Sequence, residues 1–458
     1  MNNNSPWLTQ IKRTELFPIV QQPFETDIAI IGGGISGLLT AFQLLEHTDK
    51  QITVIEGYKI AHGATGHNAG NLTSMLEVSI PYLIEKHGEA IVRSSFEAIE
   101  SSWDILEKFL ERTNIIEGYA QFIGHGGYAT AQHLNVELAN LWYYKKWNLW
   151  DGSVLVSLDF DMSQIEEQYR SLCTPVPKEA VAAVLNVHID TPYIAAIPEK
   201  MAVANSAFVT ESLLAWCLKQ YPDRITFFEQ SPVTNVHCAK EQVSILVNDT
   251  TITAQEVVLC TNGFEYLSLT TDGPNIDAKF HHNVSGIVGY MSGYEYEQPY
   301  TPSATWFYEQ DAVMSNHPQN DDPYFYITKR PFEIAGAQKG LVVIGGPESA
   351  LSDRADYERE KMIDQHIITE TDTFAEKTIE ESALLKRIFS WHGLMGYTAT
   401  GLRVVGREPC APRIIYNLGC NGVGIMPAFW ASKQLVAIVN NEKTTPTLFD
   451  PRDITCAL

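Results

Sequence analysis

Positive charge is scarce in this chain. Its 458 residues hold 55 Asp and Glu against 32 Lys and Arg, a formal net charge of −23. Nucleic acids are gripped by clustered Lys and Arg, so no nucleic-acid partner is expected. At most, the balance tilts toward cationic over anionic substrates, and it fits a cytoplasmic protein. Cysteine is sparse and unpatterned: seven residues, an odd number, with no CxxC pair. Reduced thiols are expected, and neither a disulfide framework nor a metal site is assigned. His281 and His282 are adjacent, so they would point to opposite faces of a strand rather than form a ligand pair. No apolar run approaches the roughly 18 residues of a membrane span. The leading segment, broken by Pro6, Pro18 and Pro23, lacks the apolar core of a signal peptide. No internal repeat is visible. What remains is a globular composition, 45% apolar and 19% charged, long enough for two domains.

"TDIAIIGGGISGLLTAFQLLEH" reads as a buried strand, a glycine turn and a helix, and "QITVIEG" as a second buried strand, together a βαβ unit. Residues 89–112 and about 132–150 carry helical periodicity. Short strands follow over 225–264 and return as hairpins to the first sheet, and strand patterns continue over 284–345. Helices are expected at about 357–388, then a glycine-rich segment over 391–424 and a last helix at about 425–440. The expected class is α/β (α+β): a discontinuous Rossmann-like domain (24–95, 196–265, 400–441) and a mixed or antiparallel-sheet substrate domain (96–195, 266–399).

Gly32, Gly34 and Gly37 form GxGxxG between strand and helix. The first glycine makes the turn, the second lets a pyrophosphate approach the backbone, and the third allows close helix packing. Unpaired N–H groups at the helix start, through Ile35 and Ser36, would face the phosphates. Glu56 ends the second strand at the distance of a ribose-binding acid. These features specify a dinucleotide without distinguishing NAD from FAD.

A second small-residue loop follows directly: Gly63, Ala64, Thr65, Gly66, His67, Asn68, Ala69 and Gly70. "GGGISGLLTAFQLLE…ITVIEGYKIAHGATGHNAG" resembles the D-amino-acid-oxidase-like family of FAD-dependent amine oxidoreductases. So does "SWHGLMGYTATGLRVVG", through Trp391, Gly393, Thr398, Gly401 and Gly406. "LGCNGVGIMPAFWASKQL" is similar to the family's closing glycine loop, and "VVLCTNGF" to its V-V-x-A-x-N-G strand end. The lead "SPWLTQ…FP" is similar to the gamma-glutamylputrescine oxidase subgroup.

The resemblance implies FAD, with Val233, Thr261, Asn262, Gly263, Gly396, Gly422, Val423, Gly424 and Ile425 added to the cofactor residues. It also implies oxidation of a C–N bond by hydride transfer to flavin N5, giving an imine that hydrolyses. The electron acceptor is left open between oxygen and a protein or quinone. The alternatives are a 2-hydroxy-acid dehydrogenase or a non-catalytic flavoprotein subunit. In a branch of the family the position of His67 carries FAD covalently; here Gly66 replaces the aromatic residue preceding it, and noncovalent FAD is expected.

Where amino-acid-specific relatives place a carboxylate-gripping arginine, this chain has Met395, which points to amines whose acid group is distant or absent. Arg330 or Arg403 could supply a replacement cation, although each reads more readily as a surface or structural arginine. Tyr324 and Tyr326 share one strand face and, with Met395 and His392, are the candidates for the substrate side.

Overall fold

The computed structural model describes residues 3–13, 16–263, 267–277, 284–308, 324–334, 336–353 and 356–451; His281 and His282 lie outside them. Its first sheet grows from Glu25–Ile31, with its last four residues buried, and Ile52–Ile55, buried throughout. Such unbroken apolar burial suits parallel strands covered on both faces. The two pair in parallel from Ile28 opposite Ile52 to Ile31 opposite Ile55, and Ile225–Phe228 extends the sheet.

On the other side Glu25–Ile31 runs parallel to Thr250–Leu259. That long strand forks. Its first half continues the hairpin of Val233–Cys238 and Val243–Val247, while Val257–Leu259 pairs with Ile414–Tyr416. The sheet is therefore assembled from three separated stretches of chain. Helix Ile35–His47 is buried on almost every side and packs against the last helix, Ile425–Val439, and against Ser206–Gln220.

The second sheet is mostly antiparallel. Its strands lie in the order Lys386–Thr398, Val284–Tyr296, Ala337–Ala350, Tyr324–Ile334, Ser303–Tyr308, Ala120–Tyr128, Ala195–Val203, Val154–Ser157, Cys173–Val176. Asn71–Thr73, directly after the small-residue loop, pairs with Ala195–Val203 and so carries the chain from one sheet to the other. Among the described residues no helix is long and apolar enough to cross a membrane.

Two expectations are corrected. The helical stretch 89–112 is two helices, Glu89–Glu100 and Ser102–Thr113, broken at Ser101. Of the helices expected at 357–388 there is one α-helix, Gln365–Thr378, and by Lys386 the chain is already a strand. The glycines of that strand mark close backbone approach rather than a loop: a Cβ on Gly393 or Gly396 would strike the carbonyl of His67 or Asn262.

Candidate active site

One cavity of about 730 Å³ is lined by residues of both sheets, within the range of small-molecule sites. At one end stands the glycine turn. Gly32 has φ +114° and a Cβ there would lie 2.6 Å from the carbonyl oxygen of Cys260; a Cβ on Gly37 would collide with the carbonyl oxygen of Gly32. The helix that follows has no cap of its own. Instead the Ile35 N–H donates to Thr65 Oγ1 at 3.0 Å, so the second loop completes the first. Glu56 accepts from the Gly33 and Tyr58 N–H groups at 2.7 and 2.8 Å, which brace the turn; burial raises its pKa.

Arg403 takes a structural role. Its guanidinium donates to Ser36 Oγ (2.6 Å), the Gly424 carbonyl (3.3 Å) and Asn417 Oδ1 (2.8 Å). It thus ties together the starts of the two helices that open onto the cavity, rather than the aromatic end. Arg330 is likewise structural: buried, it donates to the carbonyls of Ala204 and Gly70 and lies 4.5 Å from the Trp7 ring.

The small-residue loop is sealed from outside by the N-terminal arm. Ser5 Oγ donates to the Gly66 carbonyl, Trp7 Nε1 to that of Asn68, and Asn3 bridges the backbones of Arg359 and His392. His67 is thereby buried, with Nδ1 3.0 Å from the Gly63 carbonyl and Nε2 3.4 Å from that of Asn3. Burial lowers its pKa to about 4, so the ring is neutral at physiological pH.

Of the expected cofactor residues, Gly37, Gly66, Gly70, Gly263 and Gly396 stand behind the cavity surface and the others line it. Tyr324, Tyr326 and Met395 line it as well. His392 does not. It is buried behind the strand, its Nε2 2.9 Å from the Lys361 carbonyl.

Several lining groups were not anticipated. Arg359, at the cradle end, donates to the His62 carbonyl over the Tyr58 ring. Glu77 accepts from the hydroxyls of Tyr324 (2.9 Å) and Tyr397 (3.4 Å) and abuts Gly422. Open to the cavity but enclosed by protein, its carboxyl is pushed by burial up to about 7. Glu199 accepts from Thr73 and Trp306, and burial raises it to about 7. Glu137 is raised to about 8, by burial first and then by Glu199. Only Glu137 carried a signal in the sequence: it interrupts the apolar stripe Leu134, Leu138, Leu141 of helix Ala131–Lys146.

A stability prediction follows from Glu137. Its folded-state pKa is raised, so its contribution is fully present below about 4.5 and is lost as pH rises through about 8. The loss is about 1.4 kcal/mol per pH unit in that window. Glu137→Gln, which never ionises, should therefore gain on the parent in melting temperature from pH 5 to pH 9; parallel pH curves would contradict this.

Residues 27–438 match the family described as FAD dependent oxidoreductase, DAO. Over 108 residues the chain is 31% identical to the curated "Probable oxidoreductase OrdL" of Haemophilus influenzae, covering 23% of this chain and 25% of that protein. The chain matches a quarter or less of the length of its curated relatives. Among solved structures, glycine oxidase from Geobacillus kaustophilus has a TM-score of 0.66 at 14% identity, covering 95% of this chain and 99% of that one. L-proline dehydrogenase from P. horikoshii has a TM-score of 0.67 at 14% identity, covering 94% and 97%. At such identities the likeness is one of fold. The family match runs from the first strand of the nucleotide sheet into the last helix, and by it the chain belongs to the FAD-dependent oxidoreductase (DAO) family.

Proposed function

We propose that the glycine-rich end of the cavity holds FAD without a covalent bond, and that the other end oxidises the C–N bond of an amine with no carboxylate beside the reacting carbon. The observation that carries this reading is the distribution of charge. The lining cations Arg359 and Arg403 both sit at the cradle, while Tyr324, Tyr326 and Met395 are accompanied by carboxylates. Among the described lining residues no Lys or Arg reaches the aromatic end. An α-amino acid or 2-hydroxy acid would bring an unpaired carboxylate there.

The cradle suits the cofactor. The uncapped starts of helices Ile35–His47 and Ile425–Val439, joined by Arg403, offer N–H groups and positive charge to a pyrophosphate. Glu56 keeps lone pairs free for ribose hydroxyls. Each nitrogen of His67 faces a backbone carbonyl, which supports the noncovalent reading. After acid precipitation the yellow colour should stay in the supernatant; colour in the pellet that is lost in His67→Ala would overturn this.

When bound, FAD supplies a two-electron acceptor that takes a hydride equivalent from the carbon beside nitrogen. The chain's own groups prepare the amine. Glu77, held by Tyr324 and Tyr397, takes the proton of the substrate ammonium, leaving the neutral amine able to release hydride. The faces of Tyr324 and Tyr326 flank the cation before it is deprotonated. The C–N bond becomes C=N, and water hydrolyses the imine to a carbonyl compound and an amine or ammonia. Anaerobic mixing tests the reading: primary or secondary amines should bleach the flavin faster than glycine, sarcosine or D-alanine. Faster bleaching by those three would overturn it.

A further inference from the structure

The aromatic end of the cavity has a second pole, distinct from Glu77. Trp306 pairs with Tyr326, and Tyr308 with Tyr324, across two antiparallel strands, so all four rings project from one face. Ring centroids lie 5.4 Å apart for Trp306 and Tyr308, 6.1 Å for Tyr308 and Tyr324, and 5.9 Å for Tyr324 and Tyr326. The flanking strands make room for this floor: a Cβ on Gly126 would run into the Trp306 ring, and one on Gly345 into that of Tyr326.

Glu77 occupies the Tyr324 corner. At the diagonally opposite corner Trp306 Nε1 donates to Glu199 Oε2 at 3.1 Å, and Thr73 donates to the other oxygen. Glu137 stands close enough to Glu199 to feel its charge. Glu137 is only 6% exposed and lines the cavity. One of its oxygens accepts from Asn140 Nδ2 at 3.2 Å, and among the described residues no group donates to the other. A nine-tenths buried carboxyl that lines the cavity with one oxygen left to accept, near a second carboxyl that holds the Trp306 indole, can take a cationic donor from elsewhere.

We infer that the Glu137–Glu199 corner is a subsite for a second cationic nitrogen, and that the substrate is a diamine-like dication laid across the four-ring floor. One nitrogen is held at Glu137 and Glu199, the methylenes lie on the rings, and the other nitrogen is presented to Glu77. This rests on the amine-oxidising reading above and narrows it. Burial has already raised both carboxyls, to about 8 and about 7, and an arriving ammonium restores their charge and is held by it. A substrate ending in a carboxylate would meet like charge at the same corner.

The test compares cadaverine with pentylamine on the FAD-loaded protein; the two share a five-carbon chain and differ in the second nitrogen. Cadaverine should reduce the flavin with kcat/KM on the order of tenfold to a hundredfold higher, the range of one charge-assisted hydrogen bond. Glu137→Gln and Glu199→Gln should each lower that ratio on the order of tenfold, with FAD content showing that the variants fold. Cadaverine should also raise the melting temperature of the parent more than that of either variant. A ratio near one, or a ratio unchanged in both variants, overturns the subsite alone. An FAD-loaded protein bleached by neither amine overturns the amine reading and the subsite with it.

Discussion

Gly37→Ala is expected to purify without FAD and to melt well below the parent. The added methyl would drive into the Gly32 carbonyl oxygen, which belongs to the backbone and has no rotamer through which to yield. Relief requires the helix Ile35–His47 to move away from the turn, yet that helix is packed against the last helix and against Ser206–Gln220. Overpacking of this kind costs about 3 kcal/mol or more. Moving the helix also separates Ile35 from Thr65 and displaces the N–H groups proposed to face the pyrophosphate. Gly273→Ala is the control: it lies outside the cavity, its added Cβ would meet nothing nearer than Thr271 Oγ1 at 3.8 Å, and it should keep FAD. The measurements are the flavin-to-protein absorbance ratio and a thermal melt. Stoichiometric FAD in Gly37→Ala would show that this turn does not form the phosphate cradle.

Glu77→Gln is expected to lower kcat/KM for an amine by about 10²- to 10⁴-fold, the usual range for a positioned base. The pH profile separates this from a packing defect. Burial lifts the Glu77 carboxyl to about 7, so its basic form accumulates above that pH and the rate of the parent should rise through it. The facing Tyr324 and Tyr397 are raised well above their ordinary range and stay protonated there. In Glu77→Gln this rise should vanish, leaving only the rise that belongs to the amine itself. A variant that is slower yet keeps the inflection near 7 would make Glu77 a positioning residue rather than the base.

The cofactor end was far more legible than the substrate end, for a physical reason. The glycine turn, Glu56 and the loop 63–70 fall within one short stretch of chain, residues 32–70, and glycine spacing records them. The aromatic floor and its carboxylates come from residues 77, 137, 199, 306 and 324, distant in sequence and brought together by the second sheet, the helix Ala131–Lys146 and the loop after Asn71–Thr73. A lone glutamate in a loop carries no mark of the tyrosines it will meet. The strand Lys386–Thr398 was obscured by the opposite effect: its glycines, which signal turns in isolation, here admit the backbones of His67 and Asn262. Arg403 was visible as a cation, but its direction depends on how two helix starts converge.

The N-terminal arm imposes an order in time. Asn3 docks on backbone groups of residues 359 and 392, so closing this contact spans most of the chain. Contacts of such separation carry a large loop-closure cost, so they are expected to close after the sheets that present both partners. Until then the carbonyls of Gly66 and Asn68, and one side of His67, lack the covering they have in the finished fold. The small-residue loop therefore passes through an interval in which it is shaped but unlatched. A cofactor entering in that interval would become enclosed when the arm settles.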